Sequence, residues 1–157
     1  DKPKAVCAAE RLSALNSEIT IRTYPIRLTE ENAQEIISQY DIVVDGCDNF
    51  STRYLINDIC AEMGKVYVYG AICGFEGQVS VFHYGEEKKS YRDLYPDEEE
   101  MRRMPLPPKG VMGITPAVTG SIEATEVLKI ICGFGEVLSG KLWTIDLRTL
   151  QSNKFSL

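Results

Sequence analysis

The chain has no cysteine pair at CxxC spacing, only one histidine, no apolar run of membrane-spanning length and no excess of basic residues. Each shortage excludes something. The five cysteines, Cys7, Cys47, Cys60, Cys73 and Cys132, are odd in number and scattered. Neither a disulfide framework nor a zinc site built from cysteine pairs is expected, and reduced thiols in the cytoplasm are the simplest reading. His83 lies in an extended run without a nearby acid or cysteine, so packing is its expected role and no Ser-His-Asp arrangement can be built on it. No basic segment precedes an apolar one, so no secretory or anchoring signal and no membrane role are expected. The formal charge of -6, from 23 acidic and 17 basic side chains, works against nucleic-acid binding, which needs clustered Lys and Arg. A glycine-rich phosphate loop is also missing: Gly74 and Gly77 precede an extended, β-branched run rather than the start of a helix. The chain starts at Asp1 rather than at a methionine, so the expectation is a piece of a longer polypeptide.

What is present suits an ordinary globular protein. With 157 residues, 44% hydrophobic and 25% charged, one domain is expected, burying roughly 70% of its unfolded surface. Pro3 suits the first turn of a helix over the opening residues, and Ile19 and Ile21 alternate with polar neighbours as a strand over 18–24 does. Thr29 can cap a second helix with Ala33, Ile36, Ile37 and Tyr40 facing inward, and 41–46 (DIVVDG) reads as a strand buried on both faces. A third helix follows CDNF at 47–50 and ends at Gly64. Two further strands, KVYVYGAIC and GQVSVFHYG, can form a hairpin. The alternation of helix and strand predicts an α/β fold, a doubly wound, Rossmann-like three-layer sheet, with 141–157 closing it as an antiparallel hairpin. Residues 86–109 break the pattern with seven acidic and six basic side chains in 24 positions and four prolines. A mobile excursion over the surface is expected there. Between 115 and 133 a helix shows only a narrow polar stripe of Glu123, Glu126 and Lys129, which predicts that most of its circumference is buried, with Gly120, Ser121 and Ala124 allowing close packing.

In such a sheet, ligands bind beyond the carboxyl ends of the strands, which draws attention to the residues after DIVVDG. Asp48 and Asn49 stand between a strand and a helix N-terminus. There they could hold a magnesium ion bridging phosphates, or simply cap the helix. Lys4 opens a helix, where the dipole disfavours a cation; either a phosphate lies nearby or the lysine is an ordinary exposed one. Arg53 could reach the same crevice from one turn into its helix. Asp45, inside the strand, is read as structural.

The motifs DIVVDGCDNFSTRYLIND, KPKA near the start, YGAICGFEGQVSVF at 69–82, YRDLYPDE at 91–98 and GVMGITPAVTGSIEATEVLKIICGFG at 110–135 occur together and in order. They resemble the ThiF/MoeB/HesA family, bacterial relatives of the ubiquitin-activating enzymes. The resemblance implies an adenylyltransferase that uses ATP and Mg2+ to adenylate the C-terminal glycine of a ubiquitin-like sulfur-carrier protein. That reaction serves sulfur transfer in thiamine or molybdopterin-type cofactor synthesis. It assigns Lys4 to the ATP phosphates, Asp48 to magnesium and adenylation, Asn49 to the nucleotide and, more weakly, Arg53 to the same site, in a protein that is usually a homo-oligomer. An alternative is a non-catalytic subunit or carrier-binding module of a heterodimeric activating enzyme.

Three departures shape the expectation. The family's GxGxxG segment, the acidic residue after the next strand and a downstream arginine motif would all precede Asp1. Its zinc-binding CxxC falls on Ser90 and Asp93, so no zinc is expected. The loop at 97–110 has no cysteine, so no thioester or persulfide chemistry is expected from it. The chain is therefore read as the carboxyl-terminal part of a single adenylyltransferase domain, with unpaired edges along 18–24 and 41–45 that should prevent a normal sheet from forming alone.

Overall fold

The computed structural model describes residues 2–105 and 110–157. The first helix, α1 (Lys4–Leu15), buries none of its residues. Pro3 precedes it as the N-cap, at φ −56° and ψ 141°, not as the first helical residue; its carbonyl accepts from Val6 and Cys7 at 3.1 Å. The strand expected over 18–24 does not form. Its alternation supplies an apolar face, but a strand also needs a hydrogen-bonding neighbour, and none lies beside it; Ile19 is left 52% exposed. α2 (Ala33–Ser38) begins three residues later than Thr29 predicts. Thr29 instead trades bonds with Asn32 in a preceding turn, and Tyr40 points outward.

β1 (Ile42–Val44) is the short edge strand, and α3 (Phe50–Met63) follows it. Asn49 caps α3 by accepting from the Thr52 amide at 2.9 Å, and Gly64 ends it at φ 63°, a left-handed conformation that glycine adopts without steric penalty. β2 (Val66–Cys73) and β3 (Glu76–Phe82) form the expected hairpin. After α4 (Tyr91–Leu94), α5 (Glu98–Arg103) and α6 (Ile114–Cys132), the strands β4 (Lys141–Asp146) and β5 (Gln151–Ser156) close the chain.

The sheet order is β1-β2-β3-β4-β5, parallel only between β1 and β2. A sheet therefore forms despite its open β1 edge. The pairing from β2 to β5 is an antiparallel meander between strands adjacent in sequence, and it does not need β1 to be flanked. Strand alternation divides the core between the two faces. Tyr67, Tyr69 and Phe82 pack with α2 and α3 on one face, while Val68, Val79 and Val81 pack with Ile122, Val127 and Ile130 of α6 on the other. The result is the three-layer, Rossmann-like arrangement with a C-terminal hairpin.

Two readings of surface and interior are revised. On α6, Thr115, Thr119, Glu123 and Glu126 face the sheet, whereas Leu128 and Ile131 are 52% and 67% exposed. Part of the inward polar face is satisfied from the loops around the sheet and from α6 itself. Glu126 takes the Leu138 amide at 2.8 Å and the Lys129 ammonium, and Thr115 donates to the Gly74 carbonyl at 2.9 Å. Close packing comes from Gly70 and Gly77 of the sheet, not from the small residues of α6: a Cβ at Gly70 would overlap the Glu123 carboxylate, and one at Gly77 the Thr119 hydroxyl. Within 86–105, charge density conceals real anchors. Tyr91 is fully buried and stacks edge-on against Tyr54 at 5.0 Å, and the Tyr54 hydroxyl donates to the Tyr95 carbonyl at 2.7 Å. Residues 106–109 of that stretch lie outside the described residues.

Candidate functional site

A crevice of about 1170 Å³ opens between α6, the β2–β3 hairpin and the loop that follows β1. Asp45, Asp48, Arg53, Gly70 and Glu123 all line it. Its floor is set by one buried ion pair. Arg53, on the first turn of α3, donates from Nε to Asp45 Oδ2 at 2.8 Å, with side-chain exposures of 10% and 0%. Its Nη2 also donates to the Cys47 carbonyl at 2.6 Å and, at 3.4 Å, to that of Gly70. Asp45 also accepts from the Tyr67 hydroxyl at 3.0 Å and the Cys47 amide at 2.7 Å. Burial alone would lower the Arg53 pKa, but the adjacent Asp45 outweighs it and raises the value, so the guanidinium stays charged.

Asp48 is exposed at the mouth, where the chain enters α3, and its one side-chain bond is from Asn49 Nδ2 at 3.2 Å. A carboxylate at a helix N-terminus is favoured by the dipole, and Asp48 Oδ2 carries no hydrogen bond among the described residues. Asn49 serves as the cap. Cys47 lines the crevice too, but burial, with the Asp45 charge second, pushes its thiol up to about 12, which keeps it protonated and poorly nucleophilic.

The four residues singled out from sequence fare differently. Asp48 and Arg53 both line the crevice, whereas Asn49, the helix cap, lines a separate hollow with Thr29, Ser51 and Thr52. Lys4 is exposed at the start of α1 and lines no described cavity. Ser90 and Asp93, at the positions of the family's zinc cysteines, form a reciprocal capping box on α4: Ser90 accepts from the Arg92 amide at 3.1 Å, and Asp93 from the Ser90 amide at 2.7 Å. His83 packs as expected, its Nε2 lying 3.0 Å from Asn57 Oδ1.

Asp45 is structural, as the sequence predicts, and with Arg53 it sets the charge of the floor. One crevice residue is not singled out by the sequence. Glu123 is 7% exposed on the opposite wall. Its Oε1 is fully buried without a hydrogen bond, as is the Thr119 hydroxyl one turn earlier. Burial, then the Asp45 charge, raises the Glu123 pKa from the ordinary 4.5 to about 7, against the pull of Arg53. The available signal was a glutamate within a helix otherwise rich in apolar and small residues.

Relatives place this geometry in a family. Residues 1–157 match the ThiF family. A sulfur carrier protein adenylyltransferase of Thermus thermophilus is 47% identical over 150 residues, 92% of this chain and 55% of that protein. A probable molybdopterin-synthase adenylyltransferase of Pyropia yezoensis is 43% identical over 156 residues, 98% of this chain and 41% of the relative. The chain thus spans about half the length of these relatives. Among solved structures, E. coli MccB with ATP superposes with a TM-score of 0.78 at 19% identity, covering 99% of this chain and 48% of MccB. MccB in complex with N-formylated MccA gives 0.80 at 17%, covering 99% and 49%. These structural likenesses bear on the fold alone, and they agree with the three-layer sheet. With its whole length matched, the chain belongs to the ThiF family.

Proposed function

We propose that this chain forms part of an enzyme that uses ATP to adenylate the C-terminal glycine of a ubiquitin-like sulfur-carrier protein. A carboxylate oxygen of the carrier attacks the α-phosphorus; the new O–P bond forms as the α–β bridge breaks, and pyrophosphate leaves. Both partners are anionic, so the step needs charge neutralisation and alignment more than acid or base chemistry. The observation that carries the reading is Asp48, exposed in the lining of the crevice beside a helix N-terminus, with Oδ2 unengaged while Oδ1 accepts from Asn49.

Asp48 fits a magnesium ion on the nucleotide, an ion that would screen charge between phosphates and attacking carboxylate. The N-terminus of α3 favours anions at the same place, and Arg53 contributes a fixed positive charge behind it, although Asp45 neutralises most of it. Asn49 neighbours the site through Asp48, to which its Nδ2 donates, and serves α3 as its cap. Lys4 is assigned to the nucleotide phosphates by its motif alone, since it is not among the residues that line the crevice. The names of the relatives favour molybdopterin-type sulfur transfer over thiamine, and a cytoplasmic homo-oligomer accords with the free cysteines and with the exposed face of α6. The Ser90–Asp93 capping box supports a zinc-free α4.

A second reading, a carrier-binding module without catalysis, draws on the absence of Lys4 from the residues that line the crevice. Asp48→Ala in the native protein separates them. With ATP, magnesium and carrier, pyrophosphate exchange should fall at least ~10²-fold while carrier binding persists; undiminished exchange would sink the catalytic reading.

A further inference from the structure

Resting on that reading, we propose that the Glu123 carboxylate is the hydrogen-bond acceptor for a main-chain N–H of the carrier's C-terminal tail, fixing the tail's path through the crevice. Buried polar atoms in native proteins are almost always partnered, and α6 provides its own control. Glu126, on the same face and 1% exposed, is held by Leu138 N and Lys129. Glu123 has no hydrogen bond among the described residues, and its Oε1 is buried without one. Yet it lines the crevice. An unpaired carboxylate in that position destabilises the fold, and a donor brought in by a ligand removes the defect.

The surroundings select the donor's chemistry. Asp45 lies near enough to disfavour further negative charge, so a phosphate is a poor occupant at this wall, and Arg53 is already held by Asp45. A neutral peptide N–H satisfies the carboxylate without adding charge. The wall also connects to the reacting end of the crevice: Glu123 lies over Gly70, the Gly70 carbonyl accepts from Arg53, and Arg53 holds the Cys47 carbonyl next to Asp48. A tail whose terminal carboxylate reaches Asp48 therefore passes Glu123 a short distance upstream.

Pyrophosphate exchange by the native protein, titrated separately in carrier and in ATP, tests this. Glu123→Leu should raise KM for the carrier roughly tenfold with KM for ATP unchanged, and Glu123→Gln, which keeps a carbonyl acceptor, should restore most of the loss. A carrier with an ester in place of the tail amide, lacking the N–H, should lose the same roughly tenfold on the wild type and nothing further on Glu123→Leu. An unchanged carrier KM in Glu123→Leu, a shift in KM for ATP instead, or equal ester losses in both proteins would overturn the assignment alone. Absence of exchange by the wild type with any carrier would overturn the proposed activity as well.

Discussion

Two carboxylates face one crevice from opposite walls and live under opposite conditions. Asp45, where the chain leaves β1, meets Arg53, the Tyr67 hydroxyl and the Cys47 amide, whereas Glu123 on α6 meets no hydrogen-bond donor among the described residues. Both are nearly inaccessible, at 5% and 7%. Burial is thus not what separates them; partnership is. A buried charge with a full set of donors is part of the scaffold. One without them is a local defect that binding can relieve.

The sharpest way to break the comparison is to remove the partner of Asp45. Arg53→Met leaves a buried charge uncompensated and should cost about 3–5 kcal/mol in urea-induced unfolding; a loss under 1 kcal/mol would show that the pair is not structural. Next is Glu123→Gln, read across pH. The folded chain keeps a proton on Glu123 up to about 7, while the unfolded chain releases it near 4.5. Between those values stability falls as pH rises, by about 3 kcal/mol in total, so the glutamine variant should be more stable than wild type by about that amount at pH 8 and by almost nothing at pH 4. A difference independent of pH would contradict the unpaired carboxylate.

Smaller effects sharpen the contact between α6 and the sheet. Gly70→Ala places a methyl group on the Glu123 carboxylate and should destabilise by about 1–3 kcal/mol. In a Glu123→Ala background the same change should cost at least ~0.5 kcal/mol less, since the clash is gone; strict additivity would place the strain elsewhere. Smallest is Asp48→Ala, which should alter stability by no more than ~0.5 kcal/mol, as expected of an exposed residue kept for chemistry. A large loss in thermal denaturation would make Asp48 a structural cap.

Much of this was legible before any coordinates. The third helix, its Asn49 start and Gly64 stop, the β2–β3 hairpin and the closing hairpin all follow from signals a few residues long. The position of Asp48 follows from the rule for ligands at strand ends. The rest depended on partners distant in the chain. The 18–24 alternation has the right local pattern, but no neighbouring strand accepts it. The 86–105 charges hide tyrosines whose rings matter only once Tyr54 and Tyr69 stand opposite them. Lys4, strong by motif, lies on a helix that buries nothing.

Sequence alone therefore determined the alternation of elements, their caps and stops, and the family, because each rests on near neighbours or on ordered motifs. Tertiary structure alone decided which face of α6 turns inward, that Arg53 is held by Asp45, and that Glu123 has no partner. Hydrogen-bond satisfaction and the close approach of a carboxylate to a glycine are relations between segments tens of residues apart, and no local pattern encodes them.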